Sequence, residues 1–514
     1  MVVRKSSKFG RITNLQDFLK EKSLIFIIFL GIVWEIYVFI RFPKQAWVEG
    51  LLEAWYAYKG LVFYKDFTTT YLPFLHLTMM PFHVIFGFTQ TPTLVLSPIV
   101  SIMTFLTIII FSWRFLSGWY KYIPPLFFLF WDPILNENHF STASFQGLIN
   151  TMLLTIWVFW FKNPKKIYLF WLGFLSSVNF LSLQMIFPFI GFIFLSVIFY
   201  YFKKFIGIKD ILLYVVGFLI PLLVVVLYFV YNNALWDLYY WNVLYYLRDY
   251  PYAESFGRGF TNILIFFAIF SPVFSFLPFY FLNKLQNKTK DKLRIFTFYE
   301  YLFMYGSVIS LVLTFWFAIF HPVRFQIGMP LSAIILGIYL NDFWNESKLK
   351  IANFMILGLI ILLNIWVSAE YIIPKYKQMF NYPQNHNLLT AVYKNDPMYD
   401  IIEWIKANSR ESDKIIFLAD PLFYLETNRL PAHRRATKNL PFLWLPLEGL
   451  DGELRSSPPD YWVIDERLVN DRFIEYGYPE VSDFFNKAYG CEPIVFKKDY
   501  FTVRKQVSEE GICF

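Results

Sequence analysis

The chain is poor in charged residues. Only 16% of its 514 residues are Asp, Glu, Lys or Arg, whereas 57% are hydrophobic and 22% are aromatic, and the mean hydropathy is +0.44. Soluble domains carry about 25% charged residues, so this composition excludes an ordinary soluble protein. Cysteine and histidine are also scarce, with two and six residues. They form no set with zinc-site spacing, and the sequence has no glycine-rich phosphate-binding loop.

Long apolar runs make up much of the remaining sequence. The first, SLIFIIFLGIVWEIYVFI at residues 23–40, is too long for the core of a signal peptide and is not followed by a small-residue cleavage site. We therefore expect it to remain as a membrane anchor. The runs predict a polytopic α-helical membrane protein with about eleven spans. These lie near residues 23–40, 92–113, 122–135, 144–161, 167–182, 184–202, 211–231, 259–282, 296–319, 322–341 and 351–369.

The basic residues predict how these spans are oriented. The segment before the first span holds six Lys and Arg residues. Five connections fall on the same side, namely RFLSGWYKY, KNPKK, KKFIGIKD, NKLQNKTKDKLR and NDFWNESKLK. Because Lys and Arg are retained in cytoplasmic loops, we predict a multi-pass protein of the plasma membrane with a cytoplasmic N-terminus. These loops also explain the net charge of +8, which therefore does not indicate a nucleic-acid partner.

The first external loop is then residues 41–91. It includes LPFLHLTMMPFHVIFGF at residues 72–88, an apolar stretch with two histidines and two prolines. Counting this stretch as a twelfth span would move all five basic connections outside, against the charge rule. We therefore expect it to lie in the outer interface, where its polar groups reach water or protein. An ordinary kinked spanning helix is the alternative.

From about residue 381 the composition becomes that of a soluble domain. MYDIIEWIKANSRESDKIIFLAD predicts a helix, a turn and a buried strand, and PDYWVIDE predicts a second strand. PEVSDFFNKAY predicts a helix, and PIVFKKDYFTVRKQ predicts a terminal hairpin. We expect a transmembrane domain at residues 1–380 and a small extracytoplasmic α/β domain at residues 381–514, which is long enough to have its own core.

Polar side chains gather in the predicted external loops. Glu49 and Glu53 stand four residues apart in WVEGLLEAWYAYKG, on one face of a helix. Further candidates are Tyr64, Asp66, Glu137, His139, Arg258, His321 and Arg324. Each alone is also explained as a solvated loop residue or as an anchor at a helix end.

Taken together, these residues suit an anionic, lipid-linked substrate. Arg and His bind phosphate through charge-assisted hydrogen bonds, and a carboxylate can take a proton from an attacking hydroxyl. A transporter would instead place polar groups near the middle of the membrane. The predicted spans hold few such groups, with Asn179 and Gln184 as the clearest exceptions.

The first loop resembles that of the GT-C class of membrane glycosyltransferases, which includes the lipid A aminoarabinose transferases and the protein O-mannosyltransferases. The class pattern is an acidic pair, a helix, a glycine, an aromatic element with an acid, a proline and a Phe–Gly pair. Here these are VEG at 48–50, Gly60, FYKDF at 63–67, Pro73 and FG at 86–87. The segments GFLSSVNFLSLQMIFPF and HPVRFQIGMPLSAII also resemble the class. Val48 departs from it, because the first acid of the pair is usually aspartate.

The resemblance implies inverting transfer of a sugar from a polyprenyl-phosphate-linked donor to an acceptor on the outer face of the membrane. The acceptor is a lipid, a glycan or a protein. Glu49 would be the general base, while Glu53 and Asp66 would orient the acceptor or the sugar. The leaving phosphate would be neutralised by Arg258, His321 and Arg324.

Tyr64, Glu137 and His139 are the remaining candidates for substrate binding. No cofactor is assigned, and a divalent metal ion is left open. Two other functions stay open as well: a transporter or flippase of a lipid-linked glycan, and a non-catalytic scaffold that binds glycans.

The orientation can be tested by cysteine labelling in a variant without Cys491 and Cys513. We expect a membrane-impermeant reagent to label cysteines at Thr69 and Ser457 from outside intact cells, and not at Lys290. Labelling at Lys290 alone would reverse the orientation and exclude an external site.

Overall fold

A computed structural model describes most of the chain in twelve segments and a few residues between 369 and 377. The segments are residues 22–41, 48–69, 72–89, 91–135, 141–245, 262–274, 298–318, 322–343, 350–367, 397–434, 449–475 and 478–507. The chain folds into two compact units. The first comprises Met1–Ala46, Thr93–Val224 and Tyr252–Gln384, and the second comprises Trp47–Pro92, Val225–Pro251 and Asn385–Phe514.

Helices occupy every position at which a span is predicted. They are Lys22–Arg41, Thr91–Phe115, Ile123–Leu135, Thr142–Lys162, Lys166–Ser182, Phe187–Phe202, Ile208–Tyr231, Asn262–Phe274, Phe298–Ala318, Met329–Phe343 and Lys350–Val367. Short 3₁₀ helices lie at Gly118–Tyr122, Gln184–Ile186 and Pro322–Ile327. By length and hydropathy, five stretches within the described residues are able to cross a membrane: Lys22–Ile40, Thr91–Phe115, Thr142–Lys162, Gln184–Phe202 and Ile208–Tyr231. The total of about eleven spans stays a prediction.

Glycines allow two helices of the first unit to touch through their backbones. A Cβ added at Gly173 would lie 1.9 Å from the carbonyl oxygen of Tyr214, and one at Gly217 would lie 2.2 Å from that of Phe170. Small residues permit this close approach, which is common between helices in membranes. The helices Lys166–Ser182 and Ile208–Tyr231 are therefore held in direct contact.

The second unit contains two helices of the first loop. The acidic helix is Val48–Tyr58, and the histidine helix is Phe74–Phe86. The histidine helix has 13 residues and is therefore about 20 Å long, whereas a membrane core is about 30 Å thick. The helix at the predicted span Ile123–Leu135 is equally short, so the interfacial placement of the histidine helix stays a prediction.

The aromatic turn, residues 62–67, packs against residues 228–242 within the same unit. The ring of Tyr64 stacks on that of Phe229 with centroids 5.7 Å apart. The Lys65 ammonium donates a hydrogen bond of 3.1 Å to the carbonyl oxygen of Asn232. Phe229 lies near the end of the helix Ile208–Tyr231. The first loop and the connection that begins near Asn232 are therefore in contact, and the side of the membrane on which they lie stays a prediction.

The C-terminal part of the second unit contains a four-stranded mixed sheet. Its strands are β1 (Ile415–Leu418), β2 (Tyr461–Asp465), β3 (Ile494–Lys498) and β4 (Phe501–Lys505), in the spatial order β1-β2-β4-β3. β1 and β2 are parallel, and the other pairs are antiparallel. All of β1 is buried, whereas β3 is mostly exposed, although both strands lie at edges of the sheet.

The predicted secondary structure of this region is confirmed. Helices Pro397–Asn408 and Pro479–Ala488, both strands and the terminal hairpin lie where the sequence patterns place them. Shorter helices at Leu422–Thr427, Leu450–Ser456 and Phe473–Glu475 complete the described part. The domain boundary at residues 380 and 381 stays a prediction.

Burial changes one labelling position in the orientation test. Thr69 is only 5% exposed, so a cysteine at this position would escape the reagent on either side of the membrane. Lys65, in the same loop, is exposed and is the better position. Lys290 lies outside the described residues.

We expect Cys491 and Cys513 to form a disulfide that closes the last two strands into a loop. Cys491 is disulfide-bonded, and the chain has only one other cysteine, although Cys513 lies outside the described residues. A loop of about twenty residues closed in this way contributes roughly 3 kcal/mol by chain entropy. Mass spectrometry of unreduced protein, with free thiols alkylated first, should find the cross-linked peptide. Two alkylated cysteines would contradict the pairing.

Candidate functional site

The acidic helix carries both members of the predicted acid pair. Glu49 is the second residue of this helix, and its side chain lies outside what the structure describes. The helix ends at Tyr58, and Gly60, two residues further on, has φ +89°. Gly60 N–H donates to Ala57 O and Leu61 N–H donates to Tyr56 O, the two hydrogen bonds of a Schellman motif. A glycine at position 60 therefore has a structural explanation, because the Schellman motif needs a residue in the left-handed backbone conformation.

Glu53 makes a buried contact with His76 of the histidine helix. Its Oε2 lies 2.5 Å from Nε2 of His76, and both side chains are 0% exposed. Removing either partner would leave the other buried without its principal contact, which is costly in a dry environment. The pair therefore ties the acidic helix to the histidine helix.

Aromatic rings surround this buried contact. The ring of Phe63 lies 6.0 Å from that of His76, and Tyr56 meets Phe67 at 5.3 Å. Tyr56 also packs edge-on against Tyr424, at 6.2 Å. Burial, followed by the nearby charges of Tyr424 and Glu53, raises the pKa of Tyr56 well above its usual value. The environment of Glu53 is therefore dry and reaches the C-terminal part of the unit.

Asp66 and Tyr64 shape the aromatic turn. The half-buried Asp66 accepts a hydrogen bond of 2.7 Å from the backbone N–H of Val62. Tyr64 has φ +65°, an uncommon conformation for a residue with a side chain, and its N–H donates to Phe67 O. The Tyr64 hydroxyl lies 3.4 Å from Oδ1 of Asn242. Asp66 and Tyr64 thus have local contacts that explain their positions, and their predicted roles with substrate stay predictions.

His83, the second histidine of the histidine helix, lies in a different environment from His76. Its ring stacks on Phe88 with centroids 5.6 Å apart. Burial lowers its pKa to about 4, opposed in part by a hydrogen bond with the backbone of Gly87. His83 is therefore neutral at physiological pH and packs as an aromatic ring.

The other candidates are not brought together by the described structure. Arg324 is half-buried in the 3₁₀ helix Pro322–Ile327 of the first unit. Glu137, His139, Arg258 and His321 lie outside the described residues. Their predicted roles in binding substrate stay predictions.

The expectation that the spans carry few polar groups is wrong for the first unit. Ser101 Oγ lies 2.9 Å from Glu35 Oε2 and 2.5 Å from Asp132 Oδ2. Glu35 and Asp132 are 2% and 6% exposed. Each acid is a single charged residue in an apolar run of the sequence. Glu35 is 66 residues from Ser101 and Asp132 is 31 residues from it, so the cluster becomes visible only in the folded structure.

Asn179, an exception already visible in the sequence, belongs to a second polar cluster. Its Nδ2 donates a hydrogen bond of 2.6 Å to Oδ1 of Asn150. Gln146 in turn donates to the carbonyl oxygen of Asn179 at 3.4 Å. These hydrogen bonds join the helices Thr142–Lys162 and Lys166–Ser182, so the cluster has a structural explanation, although Oε1 of Gln146 and Oδ1 of Asn179 are buried without a hydrogen bond. Within the described ranges, no three His, Cys, Asp or Glu side chains are grouped to hold a metal ion.

Comparison with known proteins identifies the fold. No protein-family model and no curated protein sequence matches the chain. ArnT from Cupriavidus metallidurans, bound to undecaprenyl phosphate, is similar with a TM-score of 0.53 and 12% identity, over 95% of this chain and 99% of that chain. AglB from Archaeoglobus fulgidus, an archaeal oligosaccharyltransferase in complex with an inhibitory peptide and a dolichol-phosphate, has a TM-score of 0.51 and 12% identity, over 90% of this chain and 72% of that chain.

Both of these proteins are membrane glycosyltransferases with the GT-C fold. The similarity extends over nearly the whole of this chain. The chain therefore has the GT-C fold, as the residues of the first loop predict. At 12% identity the similarity establishes the fold of the chain and does not establish which reaction it catalyses.

Removing the buried partner of His76 should destabilise the second unit. We expect Glu53→Gln to lower the free energy of unfolding by roughly 3–5 kcal/mol, the usual loss when one member of a buried pair is removed. Replacing both residues with leucine should recover much of this loss. Unfolding of the purified protein, followed by tryptophan fluorescence, gives the measurement.

Glu403→Gln is the matched control. It neutralises an exposed glutamate 3.3 Å from Lys406, and surface pairs contribute roughly 1 kcal/mol or less. Equal effects of Glu53→Gln and Glu403→Gln would contradict the role of the buried pair.

Proposed function

We propose that the protein is an inverting glycosyltransferase that uses a polyprenyl-phosphate-linked sugar. The observation that carries this proposal is the similarity to ArnT over 95% of the chain, since that structure holds undecaprenyl phosphate. The first-loop residues support the same class independently, because the acidic helix and the aromatic turn occur where the class pattern has them.

The proposed reaction is a single displacement at the anomeric carbon of the sugar. An acceptor hydroxyl attacks the anomeric carbon of the sugar, and the bond from that carbon to the phosphate oxygen breaks. The lipid phosphate leaves with the electron pair, and a carboxylate takes the hydroxyl proton. Positive side chains stabilise the charge that grows on the phosphate. Attack from the opposite side of the ring inverts the anomeric configuration.

We assign the general base to Glu49 and a positioning role to Glu53. Glu53 is fully buried and bound to His76, so it is poorly placed to take a proton from an acceptor. Four residues separate the two acids on one helix, so the contact of Glu53 with His76 holds the helix that carries Glu49. In this assignment His76 acts through Glu53 and not on substrate.

The remaining candidates keep the roles that the resemblance implies. Asp66 is proposed to orient the acceptor or sugar beside the aromatic turn, together with Tyr64. Neutralisation of phosphate is assigned to Arg258, His321 and Arg324, and further substrate contacts to Glu137 and His139. The acceptor, a lipid, glycan or protein, is reached on the outer face, where the C-terminal residues are also proposed to lie.

One observation favours the alternative of a transporter or flippase. Glu35 and Asp132 are acids buried among apolar helices, where a transporter places its polar groups. A transferase releases free polyprenyl phosphate and joins the sugar to an acceptor, whereas a flippase moves the intact lipid. Product analysis with protein in lipid vesicles therefore separates the two functions.

The catalytic assignment is tested by transfer assays with purified protein and a panel of polyprenyl-phosphate sugars. We expect Glu49→Gln, which keeps the shape of the side chain but cannot accept a proton, to lower kcat by about 10²-fold or more. The exposed change Glu403→Gln should leave transfer unchanged. Folding of each variant is checked by its unfolding curve.

The pattern among the three acids decides between mechanisms. Near-normal transfer by Glu49→Gln beside a folded but inactive Glu53→Gln would move the base to Glu53. Full activity after separate neutralisation of Glu49, Glu53 and Asp66 would overturn the first-loop mechanism. Movement of intact lipid without release of polyprenyl phosphate would favour the flippase.

A further inference from the structure

A small polar cavity lies inside the first unit beside the buried acids. Its polar lining comes from helices Thr91–Phe115, Ile123–Leu135 and Thr142–Lys162 and from the 3₁₀ helix Pro322–Ile327. The polar side chains are Ser101, Thr104, Asp132, Ser144 and Gln326. Its interior has space for about one water-sized particle.

The Ser101 hydroxyl cannot donate a hydrogen bond to both of the carboxyl groups that it contacts. The Ser101 hydroxyl contacts two carboxyl groups, Glu35 at 2.9 Å and Asp132 at 2.5 Å. A hydroxyl has one hydrogen to donate, so it serves only one of the two acids. The other contact is between two oxygen atoms, and a proton or a cation beside it would stabilise it.

Gln326 gives a second and independent indication of a ligand. It is 3% exposed and lines the cavity, yet neither its Oε1 nor its Nε2 has a hydrogen-bond partner. Oε1 of Glu35 is likewise buried without a hydrogen bond. Buried polar atoms are nearly always satisfied in folded proteins, so the unpartnered amide of a residue that lines a polar cavity is expected to contact a bound group.

Close backbone packing holds Gln326 at this position. A Cβ added at Gly147 would lie 2.6 Å from the carbonyl oxygen of Gln326, so glycine is needed for this approach. Nδ2 of Asn150 donates a hydrogen bond of 3.1 Å to the carbonyl oxygen of Ile327. The unpartnered amide is therefore part of a fixed wall.

The hydroxyl groups around the cavity are oriented as acceptors. Thr104 donates its hydrogen to the carbonyl oxygen of Val100 at 2.8 Å, and Ser144 donates to that of Ser141 at 2.9 Å. The carboxyl group of Asp132 and the Oε1 atom of Gln326 add two further oxygen acceptors. Such an all-oxygen set is preferred by hard cations.

We propose that this cavity binds one sodium ion. Ser101, Asp132 and Gln326 supply oxygen ligands, with the hydroxyl oxygens of Thr104 and Ser144 beside them. The ion reduces the repulsion between the carboxyl groups of Glu35 and Asp132. Na⁺ fits better than Mg²⁺, because Mg²⁺ keeps several of its water molecules and the cavity has space for about one. The bound ion links the helices that carry Ser101 and Asp132 to the 3₁₀ helix that carries Gln326.

The test measures thermal unfolding of the full-length protein in lipid nanodiscs at constant ionic strength. We expect NaCl to raise the unfolding temperature above that in choline chloride, because a ligand that binds only the folded state stabilises it. KCl and MgCl₂ should produce less of this rise. Equilibrium binding of radioactive Na⁺ should saturate at one ion per chain.

Asp132→Asn should abolish both the Na⁺-dependent rise and the binding. Gln326→Met, which keeps the size and removes the amide oxygen, should weaken Na⁺ binding and remains informative if Asp132→Asn fails to fold. Ser177→Ala is the matched control, because Ser177 is buried in the same unit and does not line the cavity. It should retain the full Na⁺ response.

Two results would overturn the proposal. An unfolding temperature that is equal in NaCl and choline chloride, with no Na⁺ bound, would mean that the cavity holds only a proton or a water molecule. A rise of equal size in KCl, or a Na⁺ response that persists in both Asp132→Asn and Gln326→Met, would place the effect elsewhere in the protein.

Discussion

A carboxylate that leaves water must find a partner, and this constraint explains the arrangement of the first loop. The effective penalty for burying an ion is several kcal/mol, and Glu53 is completely buried. His76 supplies the partner at 2.5 Å, which brings the acidic and histidine helices together. The aromatic rings of Tyr56, Phe63 and Phe67 then close around the pair and keep it dry. The loop is thus organised around one charge.

This organisation separates two tasks that the sequence alone assigns to a single acid pair. A buried acid with a fixed partner is a good support and a poor acceptor of a substrate proton, because taking up the proton would break the contact that holds it. Catalytic groups work best when a rigid shell of supporting residues holds them in place. Glu53 and His76 have the features of such a shell. We therefore assign the chemistry to Glu49, in the first turn of the same helix.

Local patterns predicted much of the fold, because helix ends, strands and turns are written in neighbouring residues. Gly60, the histidine helix and the strands β1 to β4 lie where their patterns predict. The contact between Glu53 and His76 was not predicted, although the sequence shows both residues, because the pattern of a helical face does not specify the element that packs against it. Glu35 and Asp132 were missed for a stronger reason. Each is a single acid in an apolar run, and they meet through Ser101 only after three helices have packed.

The two acid clusters solve the same electrostatic problem in different ways. In the second unit the chain supplies the counter-group itself, since His76 is held opposite Glu53 by the histidine helix. In the first unit Ser101 can donate to only one of two carboxyl groups, and we assign the balance to a cation taken from solution. Neutralising Glu53 therefore removes a partner, whereas neutralising Asp132 removes negative charge that the ion would otherwise offset. In the first loop the partner of the buried acid is a side chain of the same chain. In the first unit we propose that it is a bound cation, so that the packing of this unit depends in part on the ion.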